Sequence, residues 1–155
     1  MLTTSLPRTD KQRRRLYKGS ILNFRLLSKE TNNSISIIDA WMPAGAAPSR
    51  HVHDHEDETL IVQGGELIFF LGESAISARK GDVVFAPRGV SHHFKITTPT
   101  CKLQVILTPG NIDQYFWQSS FPFDEDEVSG FDGPPSKKEL EGMKRLAERY
   151  GMRML

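Results

Sequence analysis

The stretch His51-Val52-His53-Asp54-His55-Glu56-Asp57-Glu58-Thr59-Leu60-Ile61-Val62 decides how this chain reads. Successive side chains of an extended strand point to opposite faces, so His51 and His53 share one face, a few ångströms apart. Two imidazoles so placed suit a metal ion better than a core. Asp54 to Asp57 is a polar run able to turn the chain. Glu58 then opens a second strand beside the first, with Leu60 and Val62 pointing the same way as its carboxylate. The expectation is a set of strands whose inner face carries ligand side chains at one end and apolar ones behind them.

The flanks extend this pattern. Ile21 to Leu26, Ser34 to Ile38, Glu66 to Leu71, Ala75 to Ala78, Val83 to Phe85, His92 to Ile96 and Leu103 to Leu107 all read as short strands. Turn residues separate them: Gly72-Glu73, Lys80-Gly81-Asp82, Pro87-Arg88-Gly89 and Thr98-Pro99. Gly64-Gly65 is read as a two-residue hairpin turn joining the strand of Glu58 to the next. No helical periodicity interrupts the run, so the body is an all-β barrel or sandwich. Residues 1–19 form a basic arm or edge strand around Lys11-Gln12-Arg13-Arg14-Arg15, residues 20–110 the β-barrel, and residues 111–155 a helical extension. In that extension Asn111 is placed to cap a short helix after the last barrel strand. Tyr115, Phe116, Trp117, Phe121 and Phe123 come next, as packing over one barrel end or as a lid or oligomer contact. A polar linker runs from Asp124 to Pro135. Ser136-Lys137-Lys138-Glu139 is a capping box, and Leu140, Met143, Leu146, Ala147 and Tyr150 recur at helical spacing, giving a C-terminal amphipathic helix.

Composition narrows the function classes. The chain has 155 residues, with 20 Lys and Arg against 19 Asp and Glu. That near neutrality argues against a nucleic-acid partner, and no apolar run is long enough to cross a bilayer. A single cysteine, Cys101, permits no intrachain disulfide and no cysteine-based zinc site. Cys101 is expected as a buried, inert thiol. Arg8 interrupts any secretory core, and Asp10 weighs against an organellar leader in residues 1–20. The expected compartment is the cytoplasm.

All five histidines lie between His51 and His93. His92 begins a strand after the turn at Pro87-Arg88-Gly89, so three histidines and one carboxylate from three strands can converge inside the barrel. His93 points the other way. His55 is exposed or supports the ligands from behind. Glu56 also stands behind them, or replaces Glu58 as ligand if the turn is tighter. Three imidazoles, one carboxylate and no sulfur suit one divalent transition ion: Fe, Mn, Ni, Cu, Co or Zn. The inward neighbours Leu60, Val62, Phe94 and Ile96 make an apolar substrate pocket.

Two longer patterns carry a resemblance to the cupin superfamily. Gly45, His51, His53, Glu58 and Gly65 match the spacing of its first motif. Gly81, Pro87, Gly89 and His92 match its second, which departs only at Ile96, where the family has Asn. That Asn is not a metal ligand. The resemblance covers residues 34–107, and the chain most resembles the small, single-domain, quercetin-dioxygenase-like cupins. It implies a double-stranded β-helix, the jelly-roll barrel, and a divalent metal held by His51, His53, Glu58 and His92. It also implies a possible homodimer, for which residues 1–27 are available.

Three functions compete. The first is a metal-dependent dioxygenase, an oxidoreductase acting on a small phenolic, enediol or thiol-type substrate. The second is an isomerase, lyase or decarboxylase using the metal as a Lewis acid. The third is a cupin that binds a small molecule without turning it over. The intact ligand set favours the first two, and two open positions on a six-coordinate ion favour the first.

Overall fold

A computed structural model describes residues 10–123 and 133–155. The acidic run Asp124 to Glu127, most of the expected linker and the start of the basic arm lie outside the described residues. Along the chain come β1 (Arg14–Tyr17), β2 (Ser20–Leu26), β3 (Ser36–Pro43), β4 (His51–His53), β5 (Asp57–Gly64), β6 (Glu66–Leu71), β7 (Ser74–Arg79) and β8 (Val83–Ala86). The remaining elements are β9 (His92–Ile96), β10 (Thr100–Thr108), α1 (Asp113–Gln118), β11 (Phe121–Pro122), α2 (Lys137–Arg149) and β12 (Met152–Met154).

The strands form two antiparallel sheets of a jelly roll. One has the order β11-β1-β2-β3-β10-β5-β8 and the other β12-β4-β9-β6-β7. Period-two alternation sends Phe24, Ile38, Leu60, Val62, Leu103 and Leu107 inward from the first sheet, and Leu67, Phe69, Phe94 and Ile96 inward from the second. They meet in one core. Cys101 is buried in the same core, where burial pushes its thiol up to about 11.

Several expectations need correction. Gly64-Gly65 is not a hairpin turn: β5 pairs with β10 and β8, β6 pairs with β7 and β9, and the chain passes between sheets at this point. A Cβ on Gly65 would sit 2.3 Å from the Thr100 carbonyl oxygen, and the residue has φ +77°, so glycine permits the crossing. For the same reason Glu58 does not open a strand beside that of His51 and His53. Its strand lies in the opposite sheet, and the carboxylate meets the histidines across the sandwich. At α1 the N-cap position belongs to Ile112; Asn111 contributes its carbonyl oxygen, which accepts the Gln114 N–H, and no side chain caps the helix.

Where it is described, the basic run, expected as an arm or an edge strand, leads into β1, one strand in from the short β11 edge. Arg13 is buried and forks onto Glu30 with N···O distances of 2.9 and 2.6 Å. Arg15 donates to Ser120 and lies 4.4 Å from the Trp117 ring centre. Strand β1 runs between β2 and β11, so Arg14 and Arg15 pair within the chain's own sheet. Strand β12 has no signal in the sequence. It pairs with β4, setting Met152 opposite His53 and Met154 opposite His51. The α2 helix carries its capping box, and Ala147 is its buried residue. Among the described residues, no helix is long and apolar enough to cross a membrane.

Candidate metal centre

Strand β4 carries His51 and His53 on one inward face, as its alternation requires. His92 opens β9 directly opposite His51. Glu58, second residue of β5, approaches from the other sheet. All four are buried: His51 8 %, His53 1 %, Glu58 7 % and His92 2 % exposed. One ligand atom from each lies within 4.8 Å of the others.

Hydrogen bonds fix which nitrogens face inward. His51 Nδ1 lies 2.7 Å from the Ser49 carbonyl oxygen, and His92 Nδ1 lies 3.1 Å from that of Val90. A carbonyl only accepts, so each Nδ1 carries a proton and each Nε2 is turned to the centre. His92 Nε2 also lies 3.0 Å from Glu58 Oε2. A ring that donates from both nitrogens is an imidazolium. Burial would lower His92, yet the hydrogen bond to Glu58, the charge of that carboxylate and the Val90 hydrogen bond together outweigh it and the pKa is raised. Burial would likewise raise Glu58, but His92, His53 and His51 hold it down at about 2. His51 is pushed down to about 4 by burial and by its two histidine neighbours.

His53 is the exception. Its Nε2 lies 3.4 Å from Glu58 Oε2 without hydrogen-bond geometry, and neither ring nitrogen has a hydrogen-bond partner. A buried polar atom left this way is costly. A divalent cation among the four ligand atoms satisfies Nε2 directly. Opposed ligands at about 2.1 Å from an ion are about 4.2 Å apart, so the cluster needs to contract only slightly. The residues present therefore fit a metal of the imidazole and carboxylate class.

Glu56 is buried behind His53, with Oε2 3.7 Å from Nδ1 and Oε1 accepting the Ile112 N–H at 2.9 Å. Burial raises its pKa to about 7. His55 is exposed, against Gly151. His93 faces away from the cluster and stacks on Phe70 at 4.5 Å. Leu60, Val62, Phe94 and Ile96 are buried core residues. A separate cleft of about 70 Å³ opens beside His51, and none of those four lines it. Its walls come from the β1–β2 hairpin, α1, α2 and β12 as well as β3 and β4. Most of these walls lie outside the stretch that carries the sequence motifs, which is why motif reading did not find the cleft.

Comparison with known proteins agrees with this fold. A family model described as a cupin domain matches residues 40–109. Quercetin 2,3-dioxygenase of Bacillus subtilis (strain 168) is 21 % identical over 96 residues, which are 62 % of this chain and 28 % of that protein. The chain thus spans little more than a quarter of that relative's length. Among solved structures, an RmlC-like cupin from Shewanella frigidimarina superposes with a TM-score of 0.61 at 19 % identity, covering 74 % of this chain and 99 % of the other. A predicted oxalate decarboxylase from Thermotoga maritima gives 0.56 at 20 % identity, covering 61 % and 90 %. At these identities the structural likeness concerns the fold.

Proposed function

This chain belongs to the cupin superfamily, and from that premise we propose that it is a divalent-metal-dependent enzyme, an oxygen-using oxidoreductase acting on a small organic molecule. The observation that carries the metal is His53, buried with both nitrogens unpartnered inside a ring of two histidines and a carboxylate. His51, His53, Glu58 and His92 are its ligands. The metal, when bound, would supply a Lewis acid and, if redox-active, a path by which electrons of the organic substrate reach dioxygen. Four protein ligands would leave such an ion, were it six-coordinate, two positions for substrate and co-substrate.

The protein's own residues do the rest. Ser49 and Val90 hold the rings of His51 and His92 by their Nδ1 protons, fixing tautomer and orientation before any ligand arrives. Glu58 contributes the one negative charge. Leu60, Val62, Phe94 and Ile96 form the apolar floor behind the ligands and keep water from that side. The weak relative named as a quercetin dioxygenase supports the oxygen-using reading over Lewis-acid isomerase, lyase or decarboxylase chemistry, and over non-catalytic binding.

The test is metal content, by elemental mass spectrometry of untagged protein purified without added metal, with His92→Ala as control. Near-stoichiometric iron, copper, nickel or manganese in the wild type, lost in the variant, is the expected result, together with substrate-dependent dioxygen uptake. Zinc alone would move the reading to Lewis-acid chemistry. Protein that takes up none of these ions on reconstitution would overturn the enzyme reading.

A further inference from the structure

The cleft beside His51 has a composition of its own. Four of the chain's five methionines, Met42, Met143, Met152 and Met154, line it, and the fifth is Met1. Methionine is flexible and polarizable, and a wall of it adapts to a small apolar body. No carboxylate lines the cleft among the described residues, and Lys18 is its one Lys or Arg.

Lys18 is held there by unusual backbone. It and Gly19 form the two-residue turn between β1 and β2, with Tyr17 paired to Ser20. Their φ angles are +48° and +76°. Positive φ at both turn positions favours Asn-Gly, and a lysine at the first is strained. Strain of this kind is retained where the surrounding structure holds it for use. The ammonium lies 5.7 Å from the Tyr17 ring centre. Among the described residues it forms no ion pair; Glu139 acts on it through space, while that carboxylate accepts from Ser136. Lys18 is thus a partly covered cation with no ion pair among the described residues, set between this apolar cleft, which reaches a candidate metal ligand, and a second cleft that it shares with Glu139.

We propose that this cleft binds a small monocarboxylate with a short apolar body, its carboxylate on Lys18 and its body against the methionines. Size and charge set the class. A cleft of about 70 Å³ holds roughly five to seven water-sized units, and a phosphate would call for several Arg or Lys where one Lys stands. Binding in the cleft needs no metal; that the bound acid is also the substrate rests on the enzyme reading.

The experiment uses full-length protein with [methyl-13C]methionine, depleted of metal by chelation, and tracks the methionine methyl resonances during titration with butanoate and with butanamide, its neutral isostere. Butanoate is expected to shift the four cleft methionines, with butanamide at least about tenfold weaker. Lys18→Met and Lys18→Asn, the second suited to the turn, are expected to abolish the difference, and Lys18→Arg to keep it. Each variant's unliganded methionine spectrum reports whether it folds as the wild type. Equal shifts by both probes, or a preference that survives in the neutral variants, would overturn the proposal. So would shifts that appear only after zinc is added and ignore Lys18, a result that supports the metal reading alone. Conversely, butanoate binding in protein that takes up none of iron, copper, nickel, manganese or zinc would support the carboxylate cleft and defeat the metal reading.

Discussion

His51 stands directly opposite His92 across the β4–β9 pairing, and their ring centroids lie 4.4 Å apart. Each Nδ1 is anchored on a carbonyl of the residue two before it, so the two Nε2 atoms are aimed at the same space. Two positive charges at that distance repel, which is one reason His51 is pushed down. A divalent cation converts the crowding into bonding. Zinc added to metal-free protein at about a hundredfold over its Kd is expected to stabilise it by about 3 kcal/mol. His51→Ala and His92→Ala should each weaken zinc binding by about 100-fold or more, measured by competition with a chromophoric chelator. A variant that binds zinc as tightly as the wild type would remove that residue from the ligand set.

Acid should destabilise the metal-free protein through Glu58. Its carboxyl is held at about 2 in the fold against an ordinary 4.5, so the unfolded chain binds more protons between those values. That contribution is complete above about pH 4.5 and is lost as pH falls toward 2, up to about 3 kcal/mol in all. His51, lowered to about 4 from 6.5, costs stability as pH falls across that window. Glu56, raised to about 7, acts in the opposite sense between 7 and 4.5. The two oppose each other, so denaturation midpoints should change little from pH 7 to about 4.5 and then fall steeply. Glu58→Gln should flatten the steep limb; an unchanged limb would place the acid sensitivity elsewhere.

Glu56 links the centre to the C-terminal extension, with one oxygen on the Ile112 N–H and the other toward His53 Nδ1. With metal on Nε2, Nδ1 carries the proton and Glu56 is its acceptor. Glu56→Ala is expected to reduce metal affinity about 10- to 100-fold. It should also cost about 1–3 kcal/mol in the metal-free protein, because the Ile112 N–H is left buried without a partner. Loss of stability with unchanged affinity would confine Glu56 to holding α1.

Gly65 and Gly151 both have positive φ, yet alanine should affect them differently. At Gly65 the new methyl meets backbone, Thr100 O at 2.3 Å and Cys101 Cα at 2.9 Å, and neither can retreat. At Gly151 the closest atom is the exposed His55 ring, at 2.6 Å, which can swing into solvent. Gly151→Ala is expected to cost about 1–2 kcal/mol for backbone strain alone, and Gly65→Ala more than about 3 kcal/mol. Thermal melts of the two purified variants decide it, and equal losses would contradict the distinction.

Much of the candidate site was legible because its signals are local. His51 and His53 share a face by strand alternation alone, and His92 comes after its turn at a fixed spacing. Glu58 over Glu56 was a matter of register: Glu58 faces the three imidazoles, while Glu56 stands behind His53. What failed was pairing. The double glycine has the residues of a hairpin, but turn chemistry does not say which strand a strand will lie beside. Strand β12 escaped because three residues after a helix carry no periodicity, and the run around Arg13 reads as either an arm or an edge strand because nothing nearby announces Glu30 as its partner.

The all-β class, the inward alternation of each strand and the three histidine ligand candidates follow from neighbours a few residues apart, with Glu58 and Glu56 both open as the carboxylate. That Glu58 reaches the histidines from the opposite sheet, that β12 covers the strand bearing His51 and His53, and that Lys18 and four methionines meet at one cleft is visible in the folded chain alone. Those placements come from closing two sheets over a shared core. Which distant segments then touch is fixed by burial and backbone pairing across the whole chain, and no short window of residues contains that information.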